Sequence, residues 1–144
     1  MALVVITAWV GGLWGVGYVA VPVLFQALPD RMLAGILAGE MFTLIAYIGI
    51  ASACYLLIYQ LSISGKATLG HPVSLVIIAM LLLTIVVQFG IQPIMADLKA
   101  QALPIDVMHS TFADRFRMLH GIASIAYLVQ SLLGIALVLK TRRC

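Results

Sequence analysis

Two short stretches place a thioether beside an imidazole. Met108 directly precedes His109, and Met118 stands two residues before His120 in the run Phe116-Arg117-Met118-Leu119-His120. Thioether and imidazole donors together suit Cu(I). Five of the seven methionines, Met32, Met41, Met95, Met108 and Met118, fall near the same end of the apolar runs described below. Methionine is also a common filler of irregular gaps in apolar chains, so the donor types are right for copper while their spacing is unspecific. Haem is the other cofactor that a histidine here would suit, with His120 as single axial ligand. A bis-histidine haem is harder to build. His71 opens an apolar run at its far end, about 30 Å from His120 across a bilayer, and His109 sits in a connection. No Ser-His-Asp order, P-loop or HExxH is present, so hydrolase and ATPase chemistry find no support. No catalytic set emerges, and the reading favours a non-enzymatic role.

The elements that position these groups follow from composition. The chain has 144 residues, of which 64% are apolar and 9% charged, with a mean hydropathy of +1.18. A soluble domain carries about 25% charged residues. Too few polar side chains exist to cover a water-facing surface, so the expected class is an integral membrane protein. A bilayer core takes about 20 apolar residues per helix. Four runs qualify, roughly residues 3–24, 41–61, 73–95 and 119–139. Only helices and closed barrels satisfy their own backbone in lipid. The expected fold is therefore all-α, a single four-helix transmembrane bundle over 1–144. The stretch "PDRMLAGILAGE" between the first two runs is apolar and glycine-spaced, and suggests a short interfacial or re-entrant helix.

Orientation rests on charge. The expected side of the termini holds Lys66, Lys140, Arg142 and Arg143; the other holds Arg31, Lys99, Arg115 and Arg117 with every acid in the chain. The basic counts tie, and acids weigh little in the positive-inside rule. The compact "KTRR" tail tips the expectation to cytoplasmic termini in a bacterial inner membrane. The pI near 9.1 then reads as headgroup contacts, with lipid as partner and no nucleic acid. Cys54 and Cys144 lie at different depths and form no CxxC, so neither a disulfide framework nor a thiolate metal site is indicated. "MALVVITAWVGGLW" lacks a basic n-region and reads as a retained first helix.

Each run has one less greasy face. These are Thr7, Gly11, Trp14, Tyr18 and Pro22; Glu40, Thr43, Tyr47, Ala51 and Cys54; Thr84, Gln88 and Gln92; and His120, Ser124, Tyr127, Ser131 and Gly134. Steps of three, four and seven put each set on one helical face. Small and polar residues favour helix contacts in lipid, so these faces are expected to point inward. "GGLWG" and "GILAG" each hold a GxxxG, which reads first as close backbone packing. Depth then gathers the polar groups at the acid-bearing end. His120 is the expected ligand or proton acceptor, Glu40 its charge partner, and Met118 and Met95 soft ligands. Tyr18, Tyr47, Gln88, Gln92 and Arg117 line the pocket. Intramembrane ionisable groups cost about 3 kcal/mol without a partner, which makes them functional candidates. A structural alternative stands beside this: Arg115 and Arg117 snorkel, His120 bonds a carbonyl or Glu40, and the glutamines bridge helices. Asp114 and Arg117 are three apart and can pair. Trp9 and Trp14 read as packing or interface groups.

Larger patterns carry a resemblance. Trp9, Gly11, Gly12, Pro22, Leu24, Phe25, Gly35, Gly39 and Phe42 fit W-x-G-G, P-x-L-F and spaced glycines before a phenylalanine. Phe89, Gly90, Pro93 and Leu98 fit F-G-x-x-P-x-L-x-x-L, and Phe116, Leu119, His120 and Gly121 fit F-x-x-L-H-G-x-S. Ser124 falls one place after the last pattern's serine, where this chain has Ala123. Together these resemble the family catalogued as domain of unknown function 4149, itself similar to transmembrane-protein-205-like proteins. The resemblance implies a four-helix membrane fold. It looks distantly similar to copper-resistance-D-type membrane proteins, which raises copper, and to HemJ-type protoporphyrinogen oxidases, which raises haem. These are likenesses of fold. The favoured expectation is a protein that binds or transports a metal ion, copper first, or a small ligand through an outward pocket; the alternatives are a haem-dependent redox enzyme and an accessory subunit joined to itself or to other membrane proteins.

Overall fold

The computed structural model describes residues 2–65 and 70–141, the side chain of Ser64 excepted. Four long helices run through them: α1 (Ala2–Ala27), α2 (Arg31–Ser64), α3 (Pro72–Ala102) and α4 (Ala113–Thr141). A short 3-10 turn, Val107–His109, lies between α3 and α4. All four helices are long and apolar enough to cross a membrane. Consecutive helices pack together, and α4 closes the ring against α1. The protein is an all-α integral membrane four-helix bundle. Lys66, Arg142, Arg143 and Cys144 lie outside the described residues.

The separate helix expected over "PDRMLAGILAGE" does not form. That stretch is the beginning of α2. The Asp30 carboxylate accepts from the Met32 and Leu33 amides at 2.9 and 3.2 Å, capping the helix start. No proline follows within α2, and a helical glycine costs only about 1 kcal/mol, so Gly35 and Gly39 do not break it. Its 34 residues reach about 51 Å at 1.5 Å per residue, well beyond a core of about 30 Å. The first turns of α2 therefore stand outside the hydrocarbon.

Two prolines sit inside helices, and the backbone answers both in the same way. A π-turn at Gly15–Ala20 precedes Pro22, and another at Val86–Ile91 precedes Pro93. In each, the last amide bonds five residues back, Val21 to Val16 and Gln92 to Val87. Proline lacks an N–H and crowds the carbonyl four residues earlier. A wider π-turn before it absorbs that crowding and adds a residue to the turn.

A second correction concerns the helix faces. On α1 the expected inward face, Thr7, Gly11, Trp14, Tyr18 and Pro22, is exposed; Ile6, Trp9 and Leu13 are buried instead. The π-turn shifts the count of three and four only for Tyr18 and Pro22, since Thr7, Gly11 and Trp14 precede it. On α2, Glu40, Tyr47, Ala51 and Cys54 are exposed, while Ala34, Ala38, Ile45, Ala53 and Leu56 face inward. Lipid is as apolar as leucine, so small residues that allow close approach decide the contact face. α3 and the inner part of α4 follow expectation: Thr84, Ser131 and Gly134 are buried.

The core has two apolar parts. One gathers Ile6, Trp9, Ala53, Leu56, Val73, Ile77, Met80 and Leu137 near the start of α1 and the end of α4. The other gathers Met95, Leu98, Ala102, Val107 and Phe116 at the opposite end. Between them lies a polar layer. Tyr18 donates to Ser131 Oγ at 3.0 Å, Gln130 Nε2 to Thr84 Oγ1 at 2.7 Å, and Tyr127 to the Leu13 carbonyl at 2.5 Å. Polar groups that bond across helices inside a bilayer act as glue.

Candidate functional site

At the end of the bundle that carries the acids, one ammonium is held between three helices with no carboxylate in contact. Lys99 sits in the last turn of α3, half-buried. Its Nζ donates to the Gly35 carbonyl of α2 at 3.1 Å and stands 5.6 Å from the centre of the Phe116 ring on α4. A cation at that distance from an aromatic face is attracted by the ring quadrupole. Gly39, one turn after Gly35, leaves the ammonium room, since even a Cβ there would lie 4.0 Å from Nζ. Phe116 in turn stacks on His120, centroids 5.9 Å apart and planes 12° from parallel. Three helices thus converge on one ammonium and one imidazole.

The local sequence explains the placement. Lys99 follows Gln92 by two helical turns and shares its side of α3. Leu98 and Ala102, its neighbours, are buried against Phe116 and hold the last turn of α3 against α4. The "GILAG" spacing presents a carbonyl and open space to the lysine, in place of the helix–helix contact expected of it. In "GGLWG", Gly11 and Gly15 meet nothing within 4 Å, while Gly12 packs against Ile45 and Gly17, two residues beyond the run, packs against Tyr127.

Nearby carboxylates are largely committed. Asp30 caps α2. Asp106 accepts from the Met108 amide at 2.8 Å, close enough to Lys99 to act on it through space. Asp114 pairs with Arg117 at 3.3 Å, which is the one ion pair among the described residues. That pairing is the one expected from their spacing.

The expected site residues scatter around this centre. His120 is exposed at its edge, with no ion pair to Glu40, which is itself exposed. Met118 is 60% exposed. Two residues from His120, it projects about 200° away around α4. Met95 is buried in the apolar cluster behind Phe116. Tyr18 belongs to the polar layer through Ser131. Tyr47 is exposed and meets Phe89 edge-on at 6.4 Å. Gln88 and Gln92 are half-buried, and Arg117 is exposed. Among the described residues, no three His, Cys, Asp or Glu side chains come together as a metal site. Of the four expected ligands, His120, Glu40 and Met118 are exposed and Met95 is buried, with no ion pair between His120 and Glu40. Lys99 escaped the sequence reading as a site residue. Its register with Gln92 was the available signal.

Elsewhere, an open apolar groove of about 240 Å³ lies between α1 and α4, lined by Val10, Gly11, Trp14, Ile135, Val138 and Leu139.

An ammonium has three donors. One is taken by Gly35, which leaves two, beside an imidazole that can donate or accept. This set can hold an acceptor group or exchange a proton at the membrane surface. Comparison with known proteins adds a family. No curated protein and no solved structure matches the chain. The family described as Domain of unknown function (DUF4149) matches residues 4–104, and the chain belongs to it.

Proposed function

We propose that this member of the family binds a small ligand at the end of its bundle where Lys99, Phe116 and His120 meet. The observation that carries the reading is the Lys99 ammonium, held by a backbone carbonyl and a ring with no carboxylate in contact. A half-buried ionisable group at the end of a membrane helix, with no carboxylate in contact, is a candidate for holding a ligand. Lys99 lies one turn beyond Met95, near the level of the headgroups. With the start of α1 and the end of α4 in the cytoplasm of a bacterial inner membrane, this site opens outward. The basic residues at the chain's end support that orientation.

Copper was the favoured cargo on sequence grounds. Two features favour the small-ligand branch over it. A lysine ammonium beside His120 repels a cation, and Met118 projects away from the imidazole. Haem at His120, transport and an accessory role have no separate observation in their favour.

The test is ligand-induced stabilisation of the detergent-purified protein. A lipid and metabolite extract of the expressing cells is added to wild type, Lys99→Met and His120→Ala, with Cu(I) as a separate probe. The expected result is a rise in thermal midpoint for wild type that Lys99→Met loses. No rise, or an equal rise in both variants, rejects the site. A rise with Cu(I) that depends on His120 and not on Lys99 returns the reading to metal.

A further inference from the structure

We infer that the group seated at Lys99 is a phosphate, on a lipid headgroup or free. This deepens the proposed function and rests on it. Lys99 keeps two N–H donors after bonding to Gly35. His120 adds an imidazole, close enough to Lys99 for the two to act on each other through space. The Phe116 ring neighbours both, 5.6 Å from the ammonium and 5.9 Å from the imidazole centre. The two free donors of the ammonium match a group with several acceptor oxygens. A phosphate monoester offers three and carries close to two negative charges at neutral pH. A carboxylate offers two and one.

Three further features fit this group. Charge-assisted bonds to phosphate are among the stronger ones available to a lysine, and an uncompensated ammonium has most to gain. The site stands in the last turn of its helix, where phosphates of the lipid surface are concentrated. Three of the five carboxylates at this end have partners of their own: Asp30 at the start of α2, Asp106 in the 3-10 turn, and Asp114 with Arg117; Glu40 and Asp97 are exposed and make no ion pair with Lys99. Asp106 remains within range and opposes an anion, so the seat selects a group that brings more charge than it loses.

The test uses full-length protein in phosphatidylcholine nanodiscs. One arm adds inorganic phosphate; the other adds phosphatidic acid, a lipid phosphate monoester. The first readout is the thermal midpoint of wild type, Lys99→Met and Lys99→Arg. The second needs no variant: the rate at which an amine-reactive reagent labels Lys99, with exposed Lys140 as internal reference, read by mass spectrometry. The inference expects a raised midpoint and several-fold slower labelling of Lys99, with Lys140 unchanged. Lys99→Arg retains the midpoint response and Lys99→Met loses it. A response to phosphatidic acid alone assigns the group to a lipid, and a response to inorganic phosphate alone assigns it to a soluble ligand. Neither source slowing the labelling of Lys99 overturns the inference. If a cell extract still protects Lys99 when both phosphates fail, the site stands and the phosphate does not. If nothing protects it, both fall.

Discussion

The phenol of Tyr127 on α4 occupies the space above Gly17 of α1. It donates to the Leu13 carbonyl at 2.5 Å, and the Gly17 amide faces the phenol oxygen. Leu13 and Gly17 are four apart and would bond each other in an ordinary helix. Here a side chain from another helix stands in that step of the ladder, at the point where the π-turn begins. Insertion of a side chain is one of the identifiable causes of a helix distortion. A Cβ at Gly17 would fall on the Tyr127 ring, so only glycine admits this contact.

Gly17→Ala should therefore destabilise the bundle by about 1–3 kcal/mol, the usual cost of overpacking. Tyr127→Phe keeps the ring and removes the donor, and should cost about 1 kcal/mol. Reversible unfolding in mixed micelles measures both. Combining Gly17→Ala with Tyr127→Ala should cost less than the sum, because the clash disappears with the ring. Strict additivity would show that the two residues do not share this contact.

Gln130 and Thr84 make the buried link between α3 and α4. Gln130 Nε2 donates to Thr84 Oγ1, which itself donates to the Met80 carbonyl at 2.8 Å. Interhelical bonds of this kind in membranes average about 0.6 kcal/mol. A double-mutant cycle of Gln130→Leu and Thr84→Val should give a coupling near that size. A coupling indistinguishable from zero would mean that the layer is packing and not glue.

Trp9 poses the opposite case. Its indole nitrogen is buried with no hydrogen-bond partner, and a Cβ on Gly49 would lie 2.7 Å from it. The ring is seated for its shape. Trp9→Phe should thus stay within about 1 kcal/mol of wild type, since an unsatisfied N–H leaves with the lost area. Trp9→Ala should cost about 3–5 kcal/mol through the cavity it opens, and Gly49→Ala about 1–3 kcal/mol through the clash. The same unfolding assay ranks the three. A large loss for Trp9→Phe would reveal a partner for the indole.

These contacts explain what the sequence could and could not carry. The helices and their membrane class were legible, because run length and charge scarcity follow directly from the bilayer's thickness and polarity. The face of α3 was legible too, since Thr84 is the sort of residue that lipid expels inward. Faces of α1 and α2 were not. Trp9 and Leu56 are no greasier than their exposed neighbours, and what selects them is shape against Gly49 and Ala53. On α1 the π-turn then shifts the count for Tyr18 and Pro22, which follow its start. At the site, His120 was legible as a polar group at the boundary. Lys99 was not, because nothing in the chain's order shows that Gly35 and Phe116 come to meet it.

The overhang of α2 gives the last prediction. Arg31 to Gly39 extend past the hydrocarbon, yet they must hold the Gly35 carbonyl where Lys99 reaches it. The Asp30 cap, the contact with α3 and the end of α1 packed against it keep this segment helical in contact with water. Asp30→Ala should weaken it by about 1 kcal/mol, roughly fivefold in local opening. Hydrogen–deuterium exchange should show the loss as faster exchange confined to residues 31–39, with residues 45–56 unchanged because lipid and neighbouring helices protect them. Lys99→Met should speed the same amides by removing the bond to Gly35. If both variants leave exchange in residues 31–39 untouched, the segment is held by something other than its cap and its lysine. If Asp30→Ala also speeds residues 45–56, the overhang and the membrane part of α2 open as one unit.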